Sequence, residues 1–419
     1  MRAGLNRWLI GVSVPLLATA RARGDDQISF LHESYIEDHS RMSVNTESLR
    51  IHKTFSSWLD ITASGVFDAV SGATPTGAPA IDQLTMHRPG TNTPIPSSAI
   101  TGFSGNLDAV SGASPHSAGV SRDTIPLASS HDNRMGGDLD LGLTYGASKF
   151  TPAISYSQEN DYISWAGSLN YSLELNNKNT VIGAGWSHAY DRLLPVRFAY
   201  ITQEKVKNTD DFLLGVTQIL GPRTVVSANA TFSHAEGYLN DPYRSVVFDA
   251  SPLNAQSQVL LQGENRPGTR DSQSLFLSAT QAIPPWNASI EGSYRFYHDS
   301  FGIIANTVGL QWFQKIGRTA VIAPSVRYYR QSAASFYGIQ FPGDPTFDPS
   351  HTPRYYSSDY RLSAFETYTL GLDATFHISE KWDCRLGYHR YWMQGLDHHT
   401  RQSVYPAANM FTVGLSYSF

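Results

Sequence analysis

Phe411-Thr412-Val413-Gly414-Leu415-Ser416-Tyr417-Ser418-Phe419 closes the chain, and its reading decides the fold. Every second residue is large and apolar, and the residues between are Thr, Gly or Ser. Side chains alternate across a strand, so this stretch predicts a β-strand with one greasy face and one small polar face. The same period recurs inside the chain. Ile163, Trp165, Gly167, Leu169, Tyr171, Leu173 and Leu175 alternate with Ser164, Ala166, Ser168, Asn170, Ser172 and Glu174. Leu139, Leu141, Leu143 and Tyr145 alternate with Asp138, Asp140, Gly142 and Thr144, and Thr367 to Ile378 repeats the pattern.

Alternation alone does not separate a soluble sandwich from a membrane barrel. Composition and connection lengths do. Only 16% of the 419 residues are charged, 12% are aromatic, and mean hydropathy is still negative at -0.28. A soluble domain carries about a quarter charged residues. A barrel wall needs apolar residues only at alternate positions, which reconciles few charges with low hydropathy. Sixteen strands are predicted near 27-36, 41-55, 58-69, 135-145, 149-158, 162-175, 179-189, 208-220, 223-235, 269-282, 286-297, 302-314, 318-331, 360-378, 381-393 and 407-419. Their connections alternate between turns of a few residues and a set that includes every long excursion, near 70-134, 190-207, 236-268, 332-359 and 394-406. Short periplasmic turns and long external loops are the pattern of an outer-membrane barrel with both termini in the periplasm.

Three further features agree. Arg2 and Arg7, the apolar run Trp8 to Ala18 and the small-residue sites before residue 25 predict a secretory signal peptide over 1–24, too short to span a bilayer. Aromatics gather near the short turns (Trp58, Phe150, Trp286, Trp312, Trp382, Phe419) and near the opposite strand ends (Trp186, Phe232, Phe296, Tyr328, Phe411), as two membrane interfaces select. The terminal strand, with Phe411, Tyr417 and Phe419, resembles the signal read by the outer-membrane barrel assembly machinery. Lipid and that machinery are therefore the expected partners, in a Gram-negative outer membrane. A net charge of -5 gives no footprint for nucleic acid.

Several stretches are similar to the bacterial outer-membrane family catalogued as domain of unknown function 3570. Asp68-Ala69-Val70-Ser71-Gly72-Ala73-Thr74-Pro75 recurs as Asp108-Ala109-Val110-Ser111-Gly112-Ala113-Ser114-Pro115. Tyr156 to Ser164, Gly237 to Arg244 and Ser358 to Ser363 carry the rest of the resemblance. It implies an outer-membrane barrel and implies no defined activity.

Candidate functional residues fall into three groups. The first is lumen charge placed by alternation: Asp138, Asp140, Glu174, Glu291, Arg295, Arg327, Asp373, Asp383 and Arg385, with His377 and His389 also inward. Neighbouring strands are expected to bring Glu291 and Arg295 near Arg327, and Asp373 beside Asp383 or Arg385. The second is the loop motifs. Asp68, Ser71 and Gly72 with Asp108, Ser111 and Gly112 suit tight turns; a hard cation such as Ca²⁺ on Asp68 and Asp108 is the lesser reading, since each copy offers one carboxylate. Asp241, Pro242, Tyr243 and Arg244 start a turn and suit a loop packed into the barrel mouth, as do Asp359 and Arg361. The third concerns chemistry. No G-x-S-x-G serine, nucleotide motif or haem motif is present, and His398-His399 lacks further ligands for a metal site. His188 and His234, near external strand ends, are the residues a barrel-borne hydrolase would use. Cys384 shares the lipid-side face with Trp382, Leu386 and Tyr388. The expected role is a channel or transport component with loops constricting the mouth; a barrel hydrolase and a docking protein with a plugged lumen are the alternatives.

Overall fold

The computed structural model describes residues 26–79, 131–195, 201–249, 260–346 and 348–419, with a few isolated positions between 80 and 130. Residues 1–24 and the second motif copy, Asp108, Ser111 and Gly112, lie outside the described residues.

Sixteen long strands form the wall: β1 Gln27–Glu37, β2 Met42–Ser56, β3 Leu59–Pro75, β4 Asp132–Tyr145, β5 Ser148–Gln158, β6 Tyr162–Leu175, β7 Thr180–Leu193, β8 Lys205–Gly221, β9 Thr224–Gly237, β10 Thr269–Ile283, β11 Ala288–Asp299, β12 Ile304–Ile316, β13 Ala320–Gln331, β14 Phe365–His377, β15 Trp382–Gly395 and β16 Ala407–Ser418. Each pairs antiparallel with the next, and the sheet closes because β1 pairs with β16 from Gln27↔Ser418 to Glu37↔Ala408. Closure leaves no edge strand, which is what a sheet crossing hydrocarbon requires. Among the described residues no helix is long and apolar enough to cross a membrane; the strands are the spanning elements.

Register turns the alternation into two surfaces. One row runs across the closing seam on the outside: Phe376, Cys384, Leu415, Phe30 and Leu49. Phe376, Leu415, Phe30 and Leu49 are all exposed, as a lipid-facing wall demands. A row on the inside reads Ser227, Ser278, Ser293, Gly309, Arg327, Thr369, Tyr391. Small polar residues therefore line much of the lumen. Aromatics stud the outside at two heights, with Trp286 stacked near Trp312 and Trp382 near Tyr417 toward the short turns, and Tyr388 near Phe411 toward the other end.

At one end, the base, every connection is a short turn. The mouth carries the connections 76–131, 194–204, 238–268, 332–364 and 396–406, plus three short turns at 38–41, 159–161 and 300–303. Strand boundaries differ from expectation by up to six residues, and two of the differences move candidate residues. β3 runs on to Pro75, so Ser71 and Gly72 lie within the strand and not in the loop; with Asp68 they pair with Ser43, Met42 and Thr46. β14 begins at Phe365, because residues 360–362 are a 3-10 turn in the mouth.

Candidate functional site

The motifs that stood apart in sequence meet over the mouth. Each begins as a local turn. In Asp241-Pro242-Tyr243-Arg244 the Asp241 carboxylate accepts from the Tyr243 amide at 3.0 Å and from Arg244 Nε at 2.8 Å, an Asx-turn that proline's fixed φ favours. In Ser358 to Ser363 the Asp359 carboxylate caps the 3-10 turn, accepting from the Arg361 amide at 3.1 Å and from Arg361 Nε at 2.8 Å.

Barrel closure then brings these turns together. Arg361 Nη2 donates to Asp241 at 2.9 Å and also to Asp359. Arg266 Nη2 donates to Asp359 at 2.8 Å and to Glu264 at 2.9 Å. Glu264 further accepts from Ser357 Oγ at 2.5 Å and from the Asp241 amide. Three carboxylates and three guanidiniums thus form one charge-balanced network. Asp359 and Arg244 are each only 1% exposed. The guanidiniums of Arg361, Arg244 and Arg266 outweigh the cost of burying Asp359 and hold its carboxyl far below the usual range. The charge of Asp359 likewise raises Arg361 against desolvation. A buried network of this kind is costly to form and more costly to break, because removing one partner strands the others.

Around it the loops build a small core of their own. Residues 245–249 pair antiparallel with 260–263 and parallel with 341–342. Phe248, Phe341 and Tyr356 pack together there, and Val246 and Val247 are buried. Beside it Tyr360 meets Tyr405 edge-on at 5.9 Å, and Tyr405 OH lies 2.8 Å from Ser363 Oγ. The β3 loop joins through Thr76, whose carbonyl accepts from the Ser245 amide at 2.8 Å. Gly77, at φ +96°, passes so close that a Cβ would stand 3.0 Å from the Ser358 carbonyl oxygen. The β5–β6 turn joins through Asp161, which accepts from Tyr243 OH. β3 and β9 stand six strands apart in the ring, so these contacts bridge the opening. The result is a packed cluster of loops at the mouth, called the cap below.

The remaining candidates are placed as follows. Asp68 is buried, accepts from Thr46 Oγ1 at 2.6 Å and pairs with Arg134 at 3.0 Å, so its carboxylate ties β2, β3 and β4 together. Gly72, at φ +123°, would put a Cβ 2.3 Å from the Arg41 carbonyl oxygen. In the lumen Asp373 pairs with Arg385 and His389, each at 3.1 Å, whereas Asp383 pairs with His377 at 2.6 Å. Glu291 accepts from Thr280 at 3.2 Å. Arg295 stacks over Phe276 and Arg327 over Tyr329. Asp138 accepts from Ser64; Asp140 is opposite Thr62; Glu174 pairs with Lys178 at the base. His188 and His234 share the outward face of Trp186 and Phe232 and bond Asp210 at 3.1 Å and Asp271 at 2.6 Å. Among the described residues neither imidazole bonds a serine or threonine hydroxyl. Glu264 and Arg266 carry no sequence signal, since nothing in Gly263-Glu264-Asn265-Arg266 distinguishes it from a solvated loop.

This fold defines a class, a closed β-barrel of the outer-membrane type. The chain belongs to the family described as "Protein of unknown function (DUF3570)", which it matches over residues 9–419. No curated protein matches it. Among solved structures it is similar to a bacterial polysaccharide outer membrane secretin, at 8% identity and TM-score 0.47, covering 94% of this chain and 98% of that one. It is similar to CdiB from Acinetobacter baumannii, at 8% identity and TM-score 0.49, covering 94% of this chain and 60% of that one. The outer membrane protein opdK from Pseudomonas aeruginosa matches at 7% identity and TM-score 0.41, over 94% of this chain and 98% of that one.

Proposed function

We propose that this protein is a solute conduit of the Gram-negative outer membrane, a channel or transport component narrowed at its outer mouth by the loop cap. In this reading the base faces the periplasm, as short turns do, and the capped mouth faces outward. The observation that carries it is the pairing of two unlike halves: a lumen lined by small polar residues with charged groups among them below, and an ion-paired cluster of loops at the mouth above. A sixteen-stranded wall is wide enough to hold water, so the cap sets the bore. Arg295 and Arg327 project from the wall below it and would act on charged solutes in passing. Lipid surrounds the apolar outer face, and the assembly machinery delivers the chain to the membrane. The experiment is planar-bilayer conductance of the folded protein. Small, steady conductance is expected; a barrel that inserts and passes no current would overturn the conduit and favour a docking role.

A further inference from the structure

At the rim of the mouth, Asp132 opens β4, while Glu159 and Asp161 sit in the three-residue turn between β5 and β6. One carboxylate oxygen of each lies within 4.8 Å of the other two. The backbone fixes them. The Glu159 amide donates to the Tyr162 carbonyl at 2.7 Å, and the Leu194 amide to the Asp161 carbonyl at 2.8 Å. The Asn133 amide donates to Asp132 Oδ1 at 2.9 Å, and Tyr243 OH to Asp161 Oδ2.

Glu159 is the telling member. It is 7% exposed and its carboxylate is aimed into the cluster, yet no side chain of the described residues gives it a hydrogen bond or an ion pair. The guanidinium of Arg134 pairs with Asp68 at 3.0 Å and only partly offsets the charge at Glu159, without a direct contact. Burial first, then the charges of Asp132 and Asp161, raise the Glu159 carboxyl above its ordinary value. Three carboxylates held together repel one another, and the repulsion is relieved either by protonating one of them or by seating a cation between them.

We propose that Asp132, Glu159 and Asp161 bind one calcium-class divalent cation at the mouth rim. All three donors are hard oxygens, with no imidazole or thiolate among them, which favours Ca²⁺ over transition metals. Ca²⁺ accepts an irregular shell of oxygens, leaving positions for backbone carbonyls and water, whereas Mg²⁺ demands near-octahedral order. The ion would pin the β5–β6 turn to β4 and, through Tyr243, to the cap. This site is separate from Asp68, and it does not depend on whether the barrel conducts.

The test uses the folded protein in detergent, stripped with EDTA and titrated with CaCl₂ by calorimetry. One saturable site is expected, with Kd of about 0.1–1 mM as for extracellular modules. Glu159→Gln and Asp132→Asn, each checked for heat-modifiable gel mobility, should weaken it about tenfold or more, as ligand charge is lost. Glu174→Gln, at the base, should leave it unchanged. No saturable binding up to about 10 mM, or unchanged affinity in both rim variants, would overturn the proposal. Two variants are used so that, if one fails to fold, the other still decides the matter.

Discussion

Asp359 lies at the centre of the cap's ion-pair network. It pairs with Arg361 and Arg266 and lies 3.8 Å from Arg244, at 1% exposure. Asp359→Ala would strand these guanidiniums in a dry site, at a cost of about 3–5 kcal/mol. The expected outcome is a barrel that still forms while proteases gain access to 241–266 and 358–363. Because its folded carboxyl titrates below the unfolded one, its contribution is complete above the ordinary aspartate range and is lost only as pH falls further. Burial raises the Glu264 carboxyl in the same network, so falling pH does not weaken the cap through it either. Cap resistance to proteolysis at pH 5 should therefore be no lower than that at pH 7; a cap that opens at pH 5 would contradict the network's geometry. Gly72 makes a simpler case. Its positive φ and the 2.3 Å approach to Arg41 leave no place for a side chain. Gly72→Val should cost about 1–3 kcal/mol and lower the temperature at which the barrel loses its fast gel mobility. An unchanged midpoint would mean that the β1–β2 turn yields freely. Gly72 was legible as a special backbone position, but the reason was not: the crowding comes from Arg41, thirty-one residues earlier in the chain.

Strands were legible because lipid and lumen impose opposite demands on alternate residues. β6 shows this along nearly its whole length, and β16 from Phe411 onward. Legibility fades where that demand ends. Beyond Phe67 the segment Asp68-Ala69-Val70-Ser71-Gly72 loses the alternation of large apolar and small polar residues, and Ser-Gly reads as a turn. Pairing with β2 carries the strand onward regardless. The start of β14 was obscured for the related reason that Tyr360 and Leu362 bury themselves in the cap rather than against lipid. The terminal strand carries its own prediction. Phe419 stacks on Tyr417 at 6.0 Å, with Lys53 over its ring, while its amide bonds the Asp26 carbonyl. Deleting Phe419 removes little packing from the finished wall. If it serves as an assembly signal, membrane-inserted protein in cells should fall severalfold while refolding in detergent proceeds normally. Equal loss in both settings would assign Phe419 a structural role instead.

At the scale of the whole molecule, the cap could not be read from any one segment. Arg361 meets Asp241 across 120 residues, and Tyr243 meets Asp161 across 82. Those contacts exist because sixteen strands close into a ring and set the loop ends around one opening. The motifs were visible beforehand as Asp, Arg, Tyr and Gly in loops otherwise expected to be solvated; their partners were not. The central claim is that this network narrows the bore of a conducting barrel. Single-channel recording of the native protein against Asp359→Ala tests it most directly, with both confirmed as folded by gel mobility. Small, steady openings are predicted for the native protein, and larger, noisier ones once Asp359 is gone; identical conductance in the two would contradict the claim.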